Sequence, residues 1–217
     1  GVNDAPALKQ ADIGVAMGIT GTDVAKGASA MVLADDNFAS IEAAVEEGRG
    51  VFDNLTKFIV LVLPTSLAEG AIILIAILLG LTLPITPVQA LWVNLTTAIL
   101  LDLALVFEPK EPGLMNRPPR DPRRPLLTHA LIMRTGLISL LMIAGAYWLF
   151  YQEMALTGGS VATARTAVVN TVVMVETAYL FSCRSLNHSL FAIGVFTNRV
   201  ALLGAALLAA LQLLFTY

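Results

Sequence analysis

Five long apolar segments constrain the fold of this chain more than any other feature. They lie near residues 58–80, 86–107, 131–151, 166–184 and 199–217, and a helix needs roughly 20 apolar residues to cross a bilayer. Hydrophobic residues make up 57% of the chain and charged residues only 13%, whereas soluble domains are typically about 45–50% apolar and about 25% charged. We therefore predict a mainly α-helical, multi-span transmembrane bundle of about five spans.

The residues before the first apolar segment have a different pattern. The runs DIGVAMG and SAMVLADD are short, apolar and bounded by polar residues or Gly, which is typical of buried strands in a parallel sheet. Between them, GTDVAKGA predicts a short helix capped by Thr22 or Asp23. From Phe38 the apolar residues recur at helical spacing and run into the first apolar segment. We predict the end of an α/β domain over 1–37, a helical stalk over 38–57 and a transmembrane domain over 58–217.

Basic residues between the spans predict the orientation in the membrane. The loop 108–131 is strongly basic, and Arg184 and Arg199 flank the loop after the fourth segment, whereas the turn at 81–85 has no Lys or Arg. Because short cytoplasmic loops are enriched in Lys and Arg, the basic loops and the N-terminal part are expected on the cytoplasmic side. The bases of the first loop are Lys110, Arg117, Arg120, Arg123 and Arg124.

Charge and cysteine content exclude several classes of site. The net charge of −3 is too small and of the wrong sign for a nucleic-acid partner. A single cysteine, Cys183, cannot form an internal disulfide or a paired-cysteine metal site.

Acidic residues inside the apolar segments are the strongest functional signal. A charged side chain within a span costs about 2.5–3.5 kcal/mol on insertion scales. Glu69 is the only charged residue between Lys57 and Asp102, and Glu176 lies inside the fourth segment. We predict that Glu69 and Glu176 are functional, whereas Asp102 lies near a span end, where snorkelling to the interface explains it equally well.

Polar oxygens accompany these acids. Pro64 interrupts the helical hydrogen-bond ladder and is predicted to free a carbonyl, and Ser66 lies one turn from Glu69. In the second segment Asn94 and Asp102 are spaced as one stripe, which a tight hairpin would bring to face Glu69.

The ligand set leaves two kinds of chemistry open. Carboxylates with amide and hydroxyl oxygens suit a hard cation such as Ca²⁺, and protonatable carboxylates equally suit a proton relay. Asn94 and Thr97 alone would also serve as contacts between helices.

The first residues, GVNDAPALK, predict a helix start. Asp4 precedes Ala5 and Pro6, the pattern of an N-cap followed by Pro in the first turn. A loop with Asn3 and Asp4 at the carboxyl end of a parallel strand would also suit Mg²⁺ and phosphate.

Four stretches of the chain resemble the P-type ATPase family. GVNDAPALK is similar to the latter part of its hinge signature. LPTSLAEG, PVQALWVNLTT and MNRPPRDP are similar to the fifth and sixth membrane helices and the following loop of calcium-type pumps, and VETAYLFSCRSLNHSL resembles the eighth helix. The resemblance covers essentially the whole chain and is strongest to the bacterial calcium-pump-like branch.

The resemblance implies a role for each candidate residue. Residues 1–37 would be the end of a HAD-like phosphorylation domain, with Asn3 and Asp4 near Mg²⁺ and an aspartyl phosphate as catalytic residues. Ala98 stands where two-site calcium pumps have a bridging Asp, which puts a two-ion site in doubt, and Asp102 is the candidate replacement. The implied ligands of the transported cation are Ser66, Glu69, Asn94, Thr97 and Glu176.

The same resemblance implies an ATP-driven pump of which this chain is a C-terminal part. The intact protein would use ATP and Mg²⁺, and this part alone is expected to lack ATPase activity. Its expected partners are the N-terminal part of the same pump, the lipid bilayer and the transported cation, in a bacterial plasma membrane. Ca²⁺ is the leading cation, with Na⁺, K⁺ or Mn²⁺ as alternatives. A secondary transporter or proton-coupled channel, and a non-catalytic membrane remnant, are the rival functions.

Overall fold

The computed structural model describes residues 1–121, 123, 125–186 and 188–217, so Arg124 of the basic loop lies outside the described residues. The chain divides into two compact units, Gly1–Arg49 and Gly50–Tyr217. Each unit has its own architecture.

The first unit contains a two-stranded parallel sheet with short helices. Its strands pair with Val15 opposite Met31. Thr22, one of the two predicted caps, accepts a hydrogen bond from the Ala25 amide at 3.3 Å. The sheet fits the α/β remnant predicted from the sequence. The elements are a 3₁₀ turn (Val2–Asp4), α1 (Ala5–Gln10), β1 (Val15–Met17), α2 (Asp23–Ala28) and β2 (Met31–Leu33).

Asp36 joins the loops that follow the two strands. Its backbone is left-handed, with φ of 52°. Its carboxylate accepts hydrogen bonds from the amides of Ile19 and Thr20, at 2.8 and 2.7 Å, and from the Thr20 hydroxyl at 2.6 Å. These bonds, the Thr20 hydroxyl first, lower the pKa of Asp36 below its ordinary value. The sequence did not reveal this role.

The second unit is helical, and the predicted fold class is confirmed. Within the described part of the chain, five helical stretches are long and apolar enough to cross a membrane: α3, the stretch Pro87–Val106, α6, α7 and α9. Helix α3 begins in the first unit and continues into the second. The elements are α3 (Ala39–Leu79), α4 (Pro87–Thr97), a π-helical turn (Ala98–Asp102), α5 (Leu103–Val106), a 3₁₀ turn (Leu114–Asn116), α6 (His129–Leu156), α7 (Val161–Cys183), α8 (Leu190–Ile193) and α9 (Arg199–Thr216).

Helix α7 lies at the centre of the bundle. It contacts α4, α6, α9 and the π-helical turn. Its side chains Val168, Val169 and Leu180 are fully buried. Because Val packs closely and has few rotamers in a helix, this surface holds the neighbouring helices in fixed positions around Glu176.

Helix α3 continues through Pro64 without unwinding, contrary to the expectation of a freed backbone ligand. Pro64 has no N–H to donate to the carbonyl of Val60. The Tyr179 hydroxyl of α7 donates to that carbonyl instead, at 3.2 Å. The carbonyl of Pro64 itself accepts from the Ser139 hydroxyl of α6 at 2.9 Å. Side chains of neighbouring helices therefore compensate for the proline.

A buried ionic cluster fastens the basic loop to α3. Lys57 and Glu111 pair at 3.1 Å, and both side chains are buried. Arg117 bonds Asp53 at 2.6 Å and Glu111 at 2.8 Å, and the Ser185 hydroxyl donates to Glu111 at 3.0 Å. Burial raises the pKa of Glu111, but Lys57, Ser185 and Arg117 outweigh burial and bring it below its ordinary value.

A second buried pair joins the loop to the end of α7. Arg184 is fully buried, and its guanidinium donates to both carboxylate oxygens of Glu108 at 3.0–3.1 Å. The same guanidinium donates to the carbonyl of Val195 and the hydroxyl of Thr197, each at 2.6 Å. Asn198 donates to Glu108 at 2.7 Å. Glu108 and Arg184 thus satisfy each other inside the protein.

Candidate functional site

Glu69 and Asn94 meet between the first two spans, as the hairpin and the stripe predicted. The Asn94 amide donates a hydrogen bond to Oε2 of Glu69, and it also approaches the carbonyl of Ala90 at 3.3 Å. Only 3% of Glu69 is exposed. A carboxyl group is therefore held inside the bundle by a neutral amide, which does not balance its charge.

Glu176 approaches the same region from α7. It is also only 3% exposed, and the charges of Glu69 and Asp102 act on it. The side chain of Thr97 interacts with its carboxyl group, while the Thr97 hydroxyl donates to the carbonyl of Val93 at 2.9 Å. Acids from three spans are thus close enough to influence one another electrostatically.

Two carboxyl oxygens of the site lack a hydrogen-bond partner among the residues that the structure describes. They are Oε1 of Glu69 and Oε2 of Glu176, and both are buried. A buried polar atom without a partner costs free energy, and a buried charge without one costs more. These two oxygens are suited to receive a proton or to bind a cation.

The π-helical turn at Ala98–Asp102 separates Asn94 from Asp102. In a regular α-helix, the side chains of two residues eight positions apart point in directions that differ by roughly 80° around the helix axis. A π turn closes i→i+5 hydrogen bonds and so contains more residues per turn, which reduces that offset. Asp102 acts electrostatically on both Glu69 and Glu176. The predicted stripe is therefore interrupted by an irregular turn, yet Asp102 stays within reach of the other acids.

Sequence reasoning missed both the π turn and the glycine packed against it. A Cβ at the buried Gly204 of α9 would lie 2.0 Å from the carbonyl oxygen of Leu100, inside the π turn. Only glycine permits this approach of α9. The available signal was a glycine inside a predicted span, away from any turn, which indicates close packing. The sequence does not show which helix packs against it.

Replacing Gly204 with Ala should reduce the free energy of unfolding by about 1–3 kcal/mol, the usual cost of overpacking, because either α9 or the Leu100 backbone must move. Thermal unfolding of the complete protein in detergent measures the loss. Gly136 of α6 is the matched control, since a Cβ there meets no atom within 4 Å. Equal stability of the Gly204→Ala and Gly136→Ala variants would contradict the packing argument.

The structure places Ser66 apart from the buried part of the site. Ser66, Asn94 and Ala98 are exposed, whereas Glu69 and Thr97 are buried. Polar side chains are costly on a lipid-facing surface. The described helices therefore build one side of the site and leave the side near Ser66 open.

No group of three or more His, Cys, Asp or Glu in the described part of the chain lies close enough together to hold a metal ion. The acids Glu69, Asp102 and Glu176 do not converge on one point. A cation at this site would need amide, hydroxyl or carbonyl oxygens beside the carboxylates.

Asn170, on the same helix as Glu176, faces a different partner. Its side-chain oxygen accepts from Gln212 at 2.7 Å and from Thr216 at 2.9 Å. Trp92 donates to Gln212 at 3.2 Å and stacks on Phe215. This polar chain fastens α9 to the bundle and lies outside the acidic site.

Asn3 and Asp4 lie in the 3₁₀ turn at the start of the first unit, and both are exposed. Asp4 holds the N-cap position of α1 and Pro6 follows in the first turn, as the sequence indicated, but the Asp4 side chain makes no capping hydrogen bond to the described residues. Their proposed role beside Mg²⁺ stays a prediction.

Comparison with known proteins gives consistent relatives. Residues 82–217, more than half of the chain, match the family described as "Cation transporting ATPase, C-terminus". The chain is 60% identical over 217 residues to "Probable cation-transporting ATPase F" of Mycobacterium tuberculosis, which covers 100% of this chain and 24% of that protein. It is 42% identical over 218 residues to "Calcium-transporting ATPase" of Bacillus subtilis, covering 99% of this chain and 24% of that protein.

A cyanobacterial relative agrees. The chain is 45% identical over 230 residues to a cation-transporting ATPase of Synechocystis, covering 100% of this chain and 24% of that protein. The chain thus spans about a quarter of the length of these relatives. Its match to the family, its motifs and its five apolar helices agree with one another. The chain belongs to the C-terminal family of the P-type cation-transporting ATPases.

Proposed function

We propose that this chain forms part of the ion pathway of an ATP-driven cation pump. The observation that carries the proposal is the pair of buried carboxyl groups, Glu69 and Glu176, each with one oxygen that has no hydrogen-bond partner among the described residues. A membrane protein keeps such acids inside its spans at considerable cost, and they mark ion or proton pathways by default. The names of the relatives support cation transport driven by ATP.

The cation would bind between the first, second and fourth spans. Glu69 and Glu176 supply negative charge, and Asn94 and Thr97 supply neutral oxygens. Hard cations such as Ca²⁺ prefer such oxygen ligands and accept six to eight of them. Ser66 would join the ligands from the open side, where a further part of the complete protein would cover the site.

We propose Ca²⁺ as the transported cation, with Na⁺, K⁺ and Mn²⁺ as alternatives. Calcium transport is named for the Bacillus subtilis relative. Ala98 supplies no ligand side chain where two-site pumps have an acid, and Asp102 lies at the other end of the π turn. One bound ion per cycle therefore agrees better with this ligand set than two.

Energy would enter through the first unit. We propose that residues 1–37 end a cytoplasmic phosphorylation domain in which Asn3 and Asp4 act near Mg²⁺ and an aspartyl phosphate formed from ATP. Residues 38–57, the stalk, would transmit the change to the membrane domain at 58–217. Helix α3 (Ala39–Leu79) contains Glu69 and all of the stalk except Phe38, and this continuous helix supports transmission from the stalk to the site.

The protein is an integral membrane protein by the length and composition of its helices. We propose the bacterial plasma membrane as its location, with the basic loops and the first unit in the cytoplasm. The partners are the rest of the same pump, the surrounding lipid and the transported cation.

The test uses the complete protein in inverted membrane vesicles. We expect ATP-dependent uptake of one cation, measured with Ca²⁺, Mn²⁺, Na⁺ and K⁺ in parallel, together with an acid-stable phosphoenzyme that forms only when that cation is present. Uptake that is driven by a proton gradient and is indifferent to ATP would replace the pump by a secondary transporter. Absence of both uptake and phosphoenzyme with all four cations would favour a non-catalytic remnant.

A further inference from the structure

Arg134 carries a positive charge at the edge of the membrane domain and has no acidic partner among the residues that the structure describes. It lies five residues after the start of α6, or about 7.5 Å along the helix. Its Nε donates to the Tyr179 hydroxyl at 3.1 Å, and its Nη2 lies 3.3 Å from the hydroxyl of Ser182. Its guanidinium also lies over the Tyr179 ring. No Asp or Glu within the described ranges pairs with it.

This guanidinium retains donors that the protein does not use. Its hydrogen bonds involve Nε and Nη2, so the two protons on Nη1 have no acceptor among the residues described. A guanidinium has five N–H donors in a planar fork that matches phosphate and carboxylate oxygens. An anion in front of Arg134 would satisfy these donors and balance the charge.

A cavity of about 510 Å³ lies beside Arg134, where α6 begins and α7 ends. Among the described residues, its polar lining includes Arg134, Ser182, Ser185, His188 and Ser189. The Ser182 hydroxyl accepts from Arg134 and the Ser189 hydroxyl accepts from the Ala192 amide. Each of these two hydroxyls still has its own proton to donate.

Apolar side chains complete the described lining of the cavity. They are Ala178, Phe181 and Leu190, and α6 and α7 are both apolar membrane helices. A cavity that combines a cationic group and hydroxyl donors with apolar side chains matches a phosphate group that is linked to an apolar body.

We propose that this cavity, defined by Arg134, Ser182, His188 and Ser189, binds a phosphate group at the membrane surface. The group belongs either to the headgroup of an anionic phospholipid or to free phosphate. Arg134 supplies the charge and the unused protons of Nη1, and the serine hydroxyls supply neutral donors. The site is separate from Glu69 and Glu176 and does not depend on the proposed transport function.

The test is native mass spectrometry of the complete, delipidated protein in detergent. Phosphatidylglycerol, phosphatidylcholine and inorganic phosphate are added in separate titrations. For a lipid headgroup, we expect phosphatidylglycerol to bind more tightly than phosphatidylcholine, and Arg134→Gln to weaken its binding about tenfold, as expected for loss of a charge-assisted hydrogen bond. For free phosphate, the same loss would appear in the phosphate titration instead.

Arg199→Gln is the matched control, because Arg199 is an exposed arginine at the start of α9 and does not line the cavity. It should leave both titrations unchanged. If Arg134→Gln unfolds, the double variant Ser182→Ala/His188→Ala replaces it, since both residues are exposed, and it should weaken binding severalfold. The proposal would be overturned if the folded variants bind phosphatidylglycerol as tightly as wild type does and also bind phosphate as tightly as wild type does.

Discussion

Replacing Arg184 with Met should lower the free energy of unfolding by about 3–5 kcal/mol, the usual cost of removing one partner of a buried ion pair. Met fills much of the volume of the arginine stem, but it leaves the Glu108 carboxylate buried without its cation. Asn198, which donates to Glu108 at 2.7 Å, would be the only described side chain still bonded to it. The carbonyl of Val195 and the hydroxyl of Thr197 would also lose a donor.

The double variant Arg184→Met/Glu108→Leu separates the value of the pair from the cost of an orphaned charge. Replacing both partners of a buried pair by apolar residues is often neutral or stabilising, so we expect the double variant to recover most of the lost stability. Thermal and denaturant unfolding of the complete protein in detergent provide the measurement. Arg199→Gln, at an exposed position, should stay within about 0.5 kcal/mol of wild type. An Arg184→Met variant as stable as Arg199→Gln would contradict the argument.

The sequence predicts the helices well because their physics is local. A span needs a long apolar run, and each of the five runs became a helix. Helix capping is also local and was predicted equally well: the Thr22 hydroxyl accepts a hydrogen bond from the amide three residues later. The contact of Asn94 with Glu69 was predictable for the same reason, since a short turn between two adjacent helices leaves few other arrangements.

The sequence does not reveal features that depend on distant parts of the chain. Glu108 and Arg184 are 76 residues apart, and before folding both resemble ordinary loop charges. The outcome at Pro64 depended on Tyr179, whose hydroxyl arrives from α7. Nothing in a one-dimensional pattern indicates which helix will supply such a donor.

Ser66 and the π turn show a second kind of limit. Ser66 is three residues from Glu69, and helical spacing placed it near the same face, yet it is exposed while Glu69 is buried. Adjacent faces of one helix meet different neighbours. The π turn at Ala98–Asp102 contains ordinary apolar residues and one Asp, so its composition does not mark it, and its contact with Gly204 of α9 joins residues about a hundred positions apart in the chain. Both features lie at the candidate site, and neither could be placed from regular helical spacing alone.

Replacing Glu69 with Gln should reduce cation-dependent phosphorylation by about tenfold or more, as expected when a charged partner of a buried interaction is lost. Gln has the same shape, and its side-chain oxygen still accepts the hydrogen bond from Asn94. The fold should therefore survive, and the burial of an uncharged side chain should even be easier. What is lost is the negative charge that would attract the cation.

The measurement is the amount of phosphoenzyme formed from ATP by the complete protein across a titration of the activating cation. Glu153→Gln is the matched control, because Glu153 lies near the far end of α6 and is not part of the acidic site. It should retain the wild-type response, and Glu69→Gln should unfold at the wild-type temperature or above. A folded Glu69→Gln protein with a normal cation response would remove Glu69 from the ion pathway. If Glu69 is a specific ligand, the Glu153→Gln variant should respond to the cation normally. Loss of the response in both variants would instead point to a general effect of charge in the spans.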